Sequence, residues 1–199
     1  MRLLVATKNR GKFLEVKEYL ERFFEDIYFL KDFEKLSKIE VIEDGKTFCE
    51  NSLKKAITYS ELIDFLVLGD DSGLEVDFLD GFPGVNSSRW AGEGKSDREK
   101  YMLLLEKLRG VPVEKRGARF VSCMTLAKSG KELFSVKGIC SGYILEKPVG
   151  EGGFGYDPIF YVPELKKTFA QLTPEEKNKI SHRGRALKEV AEKLKGMRI

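Results

Sequence analysis

Apolar and polar residues recur with two different periods along the chain, and these periods predict both strands and helices. The first segment has a short apolar run that ends near Ala6, then a polar turn. Four apolar residues follow at helical spacing, at Phe13, Val16, Leu20 and Phe23. The pattern predicts a buried strand, a loop and an amphipathic helix.

Helix start signals predict three further helices. Thr47 and Ser96 are each followed three residues later by Glu, which is a capping-box pattern, and Thr173 combines that pattern with proline at the first helical position. The helix after Ser96 is expected to end at Gly110. The stretch from Ser181 continues with helical periodicity to the C-terminal region.

Strand patterns fill the segments between these helices. The apolar run 65–68 is followed by the turn-forming residues Asp-Asp-Ser-Gly at 70–73 and by alternating residues at 74–78. We therefore expect a turn at 70–73 between two strands. Segments 118–127 and 133–145 read as a hairpin around a Lys-Ser-Gly-Lys turn.

Composition limits the class of protein. A chain of 199 residues with 42% hydrophobic content fits one domain covering residues 1–199, and the alternation of element types predicts a mixed α/β fold. Because no long apolar run occurs and the first apolar segment is too short for a signal peptide, we expect a cytoplasmic protein without a membrane partner. A net charge of only +3 argues against a dedicated nucleic-acid module. High charge density with a single glutamine suggests a heat-adapted source.

The cysteines and the single histidine exclude several kinds of site. Cys49, Cys123 and Cys140 are odd in number and widely spaced, so we expect no disulfide and no thiolate zinc site, only small core residues. His182 is the only histidine, which makes a histidine zinc site improbable. A Gly-x-Ser-x-Gly nucleophile motif is also missing.

The polar loop after the first strand is a candidate anion site. A strand-to-helix loop presents backbone N–H groups and the positive end of a helix dipole, which favour phosphate. The loop lacks Walker spacing, and the alternative is a solvated basic turn in which Asn9 only caps the helix. Its residues are Thr7, Lys8, Asn9, Arg10, Gly11 and Lys12.

Carboxylates form the second candidate group. Glu43, Asp44, Glu50, Asp70 and Asp71 supply the hard oxygen ligands that Mg²⁺ takes. Two adjacent carboxylates repel unless a cation or a proton relieves them, and a metal would leave one oxygen free to accept a proton from water. The alternative is simple turn chemistry at the Asp-Asp-Ser-Gly segment.

Two later segments suit a nucleobase and its polar groups. In the glycine-rich loop 150–158, aromatic residues stand on open backbone, which favours stacking on a base; a tight turn with core aromatics is the alternative. A donor cluster for phosphate or a carbonyl oxygen follows, made of Lys177, Ser181, His182, Arg183 and Arg185.

Taken together and in order, six motifs resemble the inosine/xanthosine triphosphate pyrophosphatases over nearly the whole chain: ATKNRGK, EDGKTFCENSLKKA, GDDSGLEVD, GFPGVNSSRWAG, GGFGYDPIF and EEKNKISHRGRAL. The resemblance implies an elongated mixed β-sheet flanked by helices in two lobes with a cleft between them, commonly as a homodimer. It also implies Mg²⁺-dependent hydrolysis of ITP, dITP and XTP to the monophosphate and pyrophosphate, which removes these nucleotides from the pool.

The resemblance also implies residue roles. Asp71 matches the general base. Glu43 and Asp71 match the metal site, with Asp70 as a further candidate ligand. The family's triphosphate-binding segment corresponds to the loop of Thr7, Lys8, Asn9, Arg10, Gly11 and Lys12, and Ser72 lies beside the phosphates in the same pattern. The base pocket matches Phe154, Gly155, Tyr156, Asp157, Lys177, His182 and Arg183.

Departures from the family pattern are small. Lys8 stands where a small residue is usual, Asp44 where the pattern has Thr, and Trp90 where Tyr or Phe is common.

Three alternative functions stay open. The nearest alternative is a nucleotide pyrophosphatase of another base specificity. The others are a nucleic-acid-binding protein using residues 177–185 and a non-catalytic nucleotide sensor. Either Arg183 or Lys177 is the expected donor to the 6-keto oxygen of the base.

Overall fold

The computed structural model describes residues 1–92 and 94–197. Within this part the strands are β1 (Arg2–Ala6), β2 (Asp26–Phe29), β3 (Leu66–Val76), β4 (Gly117–Lys128), β5 (Lys131–Ile144), β6 (Phe160–Val162) and β7 (Lys167–Thr168). The α-helices are α1 (Arg10–Leu20), α2 (Glu34–Ser37), α3 (Phe48–Ser60), α4 (Asp97–Lys107), α5 (Pro174–Ile180) and α6 (His182–Gly196). The predicted mixed α/β fold is confirmed.

The strands form one open sheet in the order β2-β1-β3-β4-β5-β6-β7. β1 runs parallel to both β2 and β3, whereas β6 runs antiparallel to β5 and β7 antiparallel to β6. Leu3 and Val5 of β1 join one hydrophobic cluster, and Leu4 and Ala6 join another. A strand buried on both faces explains why its sequence is an unbroken apolar run.

The chain divides into two compact units. Unit 1 comprises Met1–Asp71, Ser122–Gly138 and the chain from His182 onward, and unit 2 comprises Ser72–Val121 and Ile139–Ser181. β3, β4 and β5 each contribute residues to both units.

Each unit has its own hydrophobic core. In unit 1, residues of α1 and α6 pack on β1 and β3 in one cluster. In unit 2, the rings of Phe120, Phe160 and Phe169 pack with centroids 4.7–5.6 Å apart. Aromatic groups in these tilted and offset arrangements add to the stabilisation that comes from burying their area.

The structure corrects the predicted turn at residues 70–73. β3 continues without a break through the Asp-Asp-Ser-Gly residues as far as Val76. The prediction was wrong because it rested on the turn-forming preferences of Asp, Ser and Gly, which do not decide the structure where buried carboxylates have cationic partners. Asp70 is 1% and Asp71 6% exposed, and both have cationic partners inside unit 1.

The structure also corrects the prediction of three unpaired cysteines. Cys49 of α3 and Cys123 of β4 form a disulfide with Cα atoms 5.1 Å apart, and Cys140 is buried outside this bond. The two half-cystines lie 74 residues apart in sequence. Spacing along the chain gave no signal for this pairing because the fold brings the residues together.

Helix caps and the hairpin turn, which depend on residues close in sequence, were predicted more reliably. The side chains of Thr47, Ser96 and Thr173 each accept a hydrogen bond from the N–H group three residues later, as expected of N-caps. β4 and β5 are neighbours joined through Ser129 and Gly130, which have φ values of 51° and 71°. Two successive positive φ values are typical of a tight hairpin turn. None of the described helices is long and apolar enough to cross a membrane.

Candidate functional site

The loop between β1 and α1 has the predicted capped geometry. The Asn9 side chain accepts a hydrogen bond from the Lys12 N–H at 3.1 Å, and Thr7 Oγ1 accepts one from the Asn9 N–H at 3.1 Å. The Arg10 guanidinium lies over the rings of Phe13 and Phe29. Lys8 is exposed, and its Nζ is 3.5 Å from the Ile39 carbonyl oxygen. The loop is therefore ordered by its own polar side chains at the positive end of α1.

Asp70 is surrounded by donors within unit 1. Its Oδ2 lies 3.2 Å from Lys12 Nζ and 3.4 Å from Arg183 Nη2, and its Oδ1 accepts a hydrogen bond from Ser122 Oγ at 3.0 Å. Burial alone would raise the pKa of the Asp70 carboxyl, but the cations of Lys12 and Arg183 hold it well below the ordinary value. Asp70 is therefore a buried carboxylate partner shared by these two cations.

Arg183 links Asp70 to a second carboxylate, that of Glu15. Arg183 Nη1 donates to Glu15 Oε2 at 2.6 Å, so the guanidinium binds two acids at once. Burial lowers the pKa of the Lys12 ammonium, and the charge of Asp70 opposes that effect. Arg183 is also one of the residues predicted for the base pocket, and within unit 1 its guanidinium contacts Asp70 and Glu15.

Asp71 has a different set of partners in unit 1. Successive side chains of a strand point to opposite faces, so adjacent aspartates of β3 need not share ligands. Asp71 Oδ1 lies 3.3 Å from Lys55 Nζ, and Asp71 Oδ2 accepts a hydrogen bond from Asn51 Nδ2 at 3.1 Å. Burial raises the pKa of the Asp71 carboxyl; Lys55 opposes this shift and Glu43 adds to it. A carboxylate with a raised pKa is a better proton acceptor.

Glu43 and Asp71 are linked through Lys55, a residue of α3. Lys55 Nζ lies 3.2 Å from Glu43 Oε2 and also contacts Asp71. Asn51 Oδ1 accepts a hydrogen bond from the Gly45 N–H at 2.8 Å, which ties the loop that carries Glu43 to the same helix. A Cβ at Gly45 would lie only 2.6 Å from Asn51 Oδ1, so a residue without a side chain is required there.

These carboxylates fit a bound Mg²⁺. Among the described residues, no three His, Cys, Asp or Glu side chains gather into a metal cluster. Mg²⁺ however needs only one or two protein carboxylates, because water and substrate phosphates supply its other ligands. Glu43 and Asp71 already converge on one cation, the Lys55 ammonium. The pair therefore has the charge and the oxygen donors for such a site.

The glycine-rich segment of unit 2 is held by Asp157. Its Oδ2 accepts hydrogen bonds from the Phe154 N–H at 2.9 Å and from Lys177 Nζ at 2.7 Å. The Lys177 ammonium also lies 4.5 Å from the centroid of the Phe154 ring. Gly153 has φ +74°, and a Cβ there would lie 2.1 Å from Asp157 Oδ2. The predicted residues of the 154–157 segment and Lys177 therefore form one group.

The remaining predicted residues are placed as follows. Tyr156 is 5% exposed and belongs to the core of unit 2, so its ring is not presented on the surface. Ser72 lies in β3 and is half-buried. His182 is the buried first residue of α6, next to Arg183. Gly155 has φ +64° and donates its N–H to Asp97 Oδ2 at 2.7 Å.

Sequence reasoning missed several supporting residues. Asn51 stands one helical turn before Lys55, and that spacing on α3 was a usable signal because residues i and i+4 share a helix face. Ser122 and Glu15 gave no signal, because their partners Asp70 and Arg183 are distant in sequence.

The fold and these two groups of side chains define a mixed α/β protein with charges suited to phosphate chemistry. The sequence model of the Ham1 family matches residues 3–193, and the chain belongs to this family. The resemblance inferred from the motifs is thereby confirmed.

Individual relatives support the same assignment. A protein of Desulforamulus reducens named dITP/XTP pyrophosphatase is 47% identical, over 98% of this chain and 96% of its own length. The Ham1 protein of Staphylococcus aureus has a structure with a TM-score of 0.86 and 38% identity, covering 98% of this chain and 99% of that one. A HAM1 protein from Coxiella burnetii gives a TM-score of 0.87 at 36% identity, covering 99% of this chain and 100% of that one.

Proposed function

We propose that this protein hydrolyses the non-canonical purine nucleotides ITP, dITP and XTP to the nucleoside monophosphate and pyrophosphate. Full-length similarity to proteins named dITP/XTP pyrophosphatase supports the reaction. The observation that carries it in the structure is Asp71, a buried carboxylate with a raised pKa that shares the Lys55 ammonium with Glu43. This arrangement suits a proton acceptor beside a site for a metal and phosphates.

The phosphate and metal roles belong to unit 1 in this proposal. The 7–12 loop binds the triphosphate through its helix N-terminus and Lys12. Glu43 and Asp71 would hold Mg²⁺, which would neutralise charge on the phosphate oxygens. Asp71 accepts a proton from a water molecule whose oxygen forms a bond to the α-phosphorus. The bond from that phosphorus to the bridging oxygen breaks, and pyrophosphate leaves.

The base is assigned to the 154–157 segment with Lys177, His182 and Arg183. Phe154 offers an aromatic face, and Lys177 is a donor for the 6-keto oxygen of hypoxanthine or xanthine. Adenine has an amino group at that position, so a donor would meet a donor and both would lose a partner. A site built on such hydrogen bonds can discriminate by roughly 10⁴-fold. Ser72, of unit 2, is kept as a phosphate contact only because the family resemblance implies it.

A turnover panel tests the proposal. The purified protein with Mg²⁺ is given ITP, XTP, dITP, GTP, ATP or dTTP, and pyrophosphate and orthophosphate are measured separately. We expect pyrophosphate release mainly from ITP, dITP and XTP. Preferred release from dTTP would support the alternative base specificity.

Two other results would contradict the proposal. Orthophosphate as the only product would mean attack at the γ-phosphorus. Absence of all turnover would favour a nucleotide sensor, or a nucleic-acid-binding protein if salt-sensitive binding of DNA or RNA were found.

Three further features complete the proposal: dependence on Mg²⁺, a homodimer and a cytoplasmic location. Omitting Mg²⁺ from the panel should remove turnover, and its restoration should return it. Size-exclusion chromatography with light scattering should give twice the mass of one 22.7 kDa chain.

A further inference from the structure

The 154–157 segment is held by side-chain anchors in addition to one backbone hydrogen bond, from the Asp157 N–H to the Phe154 carbonyl at 3.3 Å. It follows Gly153 and contains Gly155, and both glycines have positive φ. Glycine allows this path but also leaves the unfolded chain more conformations to lose. One anchor is the Asp157 carboxylate, which binds the Phe154 N–H and Lys177.

Tyr156 is the second anchor, and its hydroxyl makes two hydrogen bonds. Trp90 Nε1 lies 2.7 Å from the Tyr156 hydroxyl oxygen, which lies 2.6 Å from the Ser87 carbonyl oxygen. An indole N–H can only donate and a carbonyl can only accept. The Tyr156 hydroxyl therefore accepts from Trp90 and donates to Ser87, so both hydrogen-bond directions are determined.

Further contacts hold Ser87 and Trp90, the two partners of the Tyr156 hydroxyl. Ser87 Oγ accepts a hydrogen bond from the Leu74 N–H of β3 at 2.9 Å and donates to the Gly84 carbonyl at 2.6 Å. The Trp90 ring packs edge-on against Phe82 with centroids 4.9 Å apart. Tyr156 is thus connected through Ser87 to a central strand of the sheet.

We propose that Trp90 is a positioning residue for base recognition, acting through the Tyr156 hydroxyl to hold the 154–157 segment. The inference rests on the proposed function, because it assumes that this segment contacts the base. Trp90 contacts the Tyr156 hydroxyl and touches no substrate in this proposal. Its indole N–H fixes the position of the hydroxyl end of the Tyr156 side chain and hence the position of Phe154 and Gly155.

Two conservative variants isolate this hydrogen bond. Trp90→Phe keeps an aromatic ring but removes the N–H, and Tyr156→Phe removes the hydroxyl. Each should raise KM for ITP by about two- to tenfold, which corresponds to the net contribution of one or two hydrogen bonds, and should leave kcat within about twofold. The double variant should be no worse than Tyr156→Phe alone, because both changes break the same link.

A ligand without a base separates positioning from general damage. Inorganic triphosphate, used as a competitive inhibitor, should keep its inhibition constant in both variants. Tyr143→Phe is the matched control, because it removes a hydroxyl from a tyrosine of unit 2 that is 38% exposed. That control should keep the wild-type KM for ITP.

Fluorescence provides a readout that does not depend on activity. Trp90 is the only tryptophan of the chain, so intrinsic emission reports on this residue alone. Removing its hydrogen-bond acceptor in Tyr156→Phe should shift the emission maximum, whereas Tyr143→Phe should leave it unchanged.

The outcomes separate this inference from the proposed function. Absence of ITP turnover in the wild-type protein would refute both. Wild-type turnover with unchanged KM for ITP in Trp90→Phe and Tyr156→Phe would refute the positioning role alone. Equal weakening of ITP and inorganic triphosphate would also refute it, because the damage would then extend to phosphate binding.

Discussion

Two adjacent residues of one strand show how much a position depends on its partners. The cations of Lys12 and Arg183 lower the pKa of Asp70, whereas burial raises the pKa of Asp71, which suits the proton-acceptor role proposed for it. The sequence identified both carboxylates as candidates for chemistry. It could not distinguish them, because Ser122 and Arg183 reach Asp70 only after the chain has folded.

Replacing each aspartate by asparagine should separate stability from turnover. Asp70→Asn removes the carboxylate that pairs with Lys12, while Arg183 keeps Glu15, and removing one partner of a buried ion pair costs about 3–5 kcal/mol. Asp71→Asn should cost less, because Lys55 keeps Glu43 as a partner. Turnover in Asp71→Asn should fall by about 10²–10⁴-fold, which is the usual contribution of a general base.

Urea unfolding and pyrophosphate release from ITP measure the two effects. Each variant serves as the control for the other, since both remove one negative charge from the same strand. Wild-type turnover in Asp71→Asn would reject its assignment as base and metal ligand. Equal loss of stability in both variants would contradict the division of roles.

At the scale of elements, local signals predicted helix starts well and long-range links poorly. Thr47 was predicted to cap α3 because a cap depends on residues within four positions. The Glu50 carboxylate accepts a hydrogen bond from the Lys46 N–H, which extends the capping interaction by one residue. The disulfide from Cys49 to Cys123 was missed because its partner lies on β4. The expected turn at 70–73 failed for a related reason, since the compensating cations come from other elements.

The disulfide should contribute measurably to stability. It closes a long loop, and cross-links of this kind typically contribute about 2–4 kcal/mol by restricting the unfolded chain. Reductant should therefore lower the urea midpoint of the wild-type protein. The Cys49→Ser/Cys123→Ser double variant should start near the reduced midpoint and should not respond to reductant.

Thiol labelling checks the premise directly. Alkylation of the unfolded, non-reduced protein should modify Cys140 alone. Labelling of all three cysteines would show that the bond is not formed in the isolated protein.

At the scale of the whole molecule, the fold class was easier to predict from the sequence than the order of the strands. Alternating element patterns were enough for a mixed α/β fold, because period and length are local properties. The strand order depends on pairings between distant segments, such as β1 with β3. The first of the four points at which the chain passes from one unit to the other falls at Asp71 and Ser72 inside β3, where no linker-like composition marks it.

Surface composition leads to a prediction about heat resistance. Charged residues make up 34% of the chain, and ion pairs three or four residues apart include Lys38–Glu34, Lys95–Glu99 and Lys195–Glu192. Single exposed pairs add little at 25 °C, but the cost of desolvating charges falls as temperature rises. We therefore expect the oxidised protein to melt above the range of about 45–65 °C typical of mesophilic domains. Calorimetry at low and high salt measures this, and because salt screens exposed pairs, the melting temperature should fall as NaCl is added. A melting temperature within the mesophilic range at low salt would refute the heat-adapted reading of the composition.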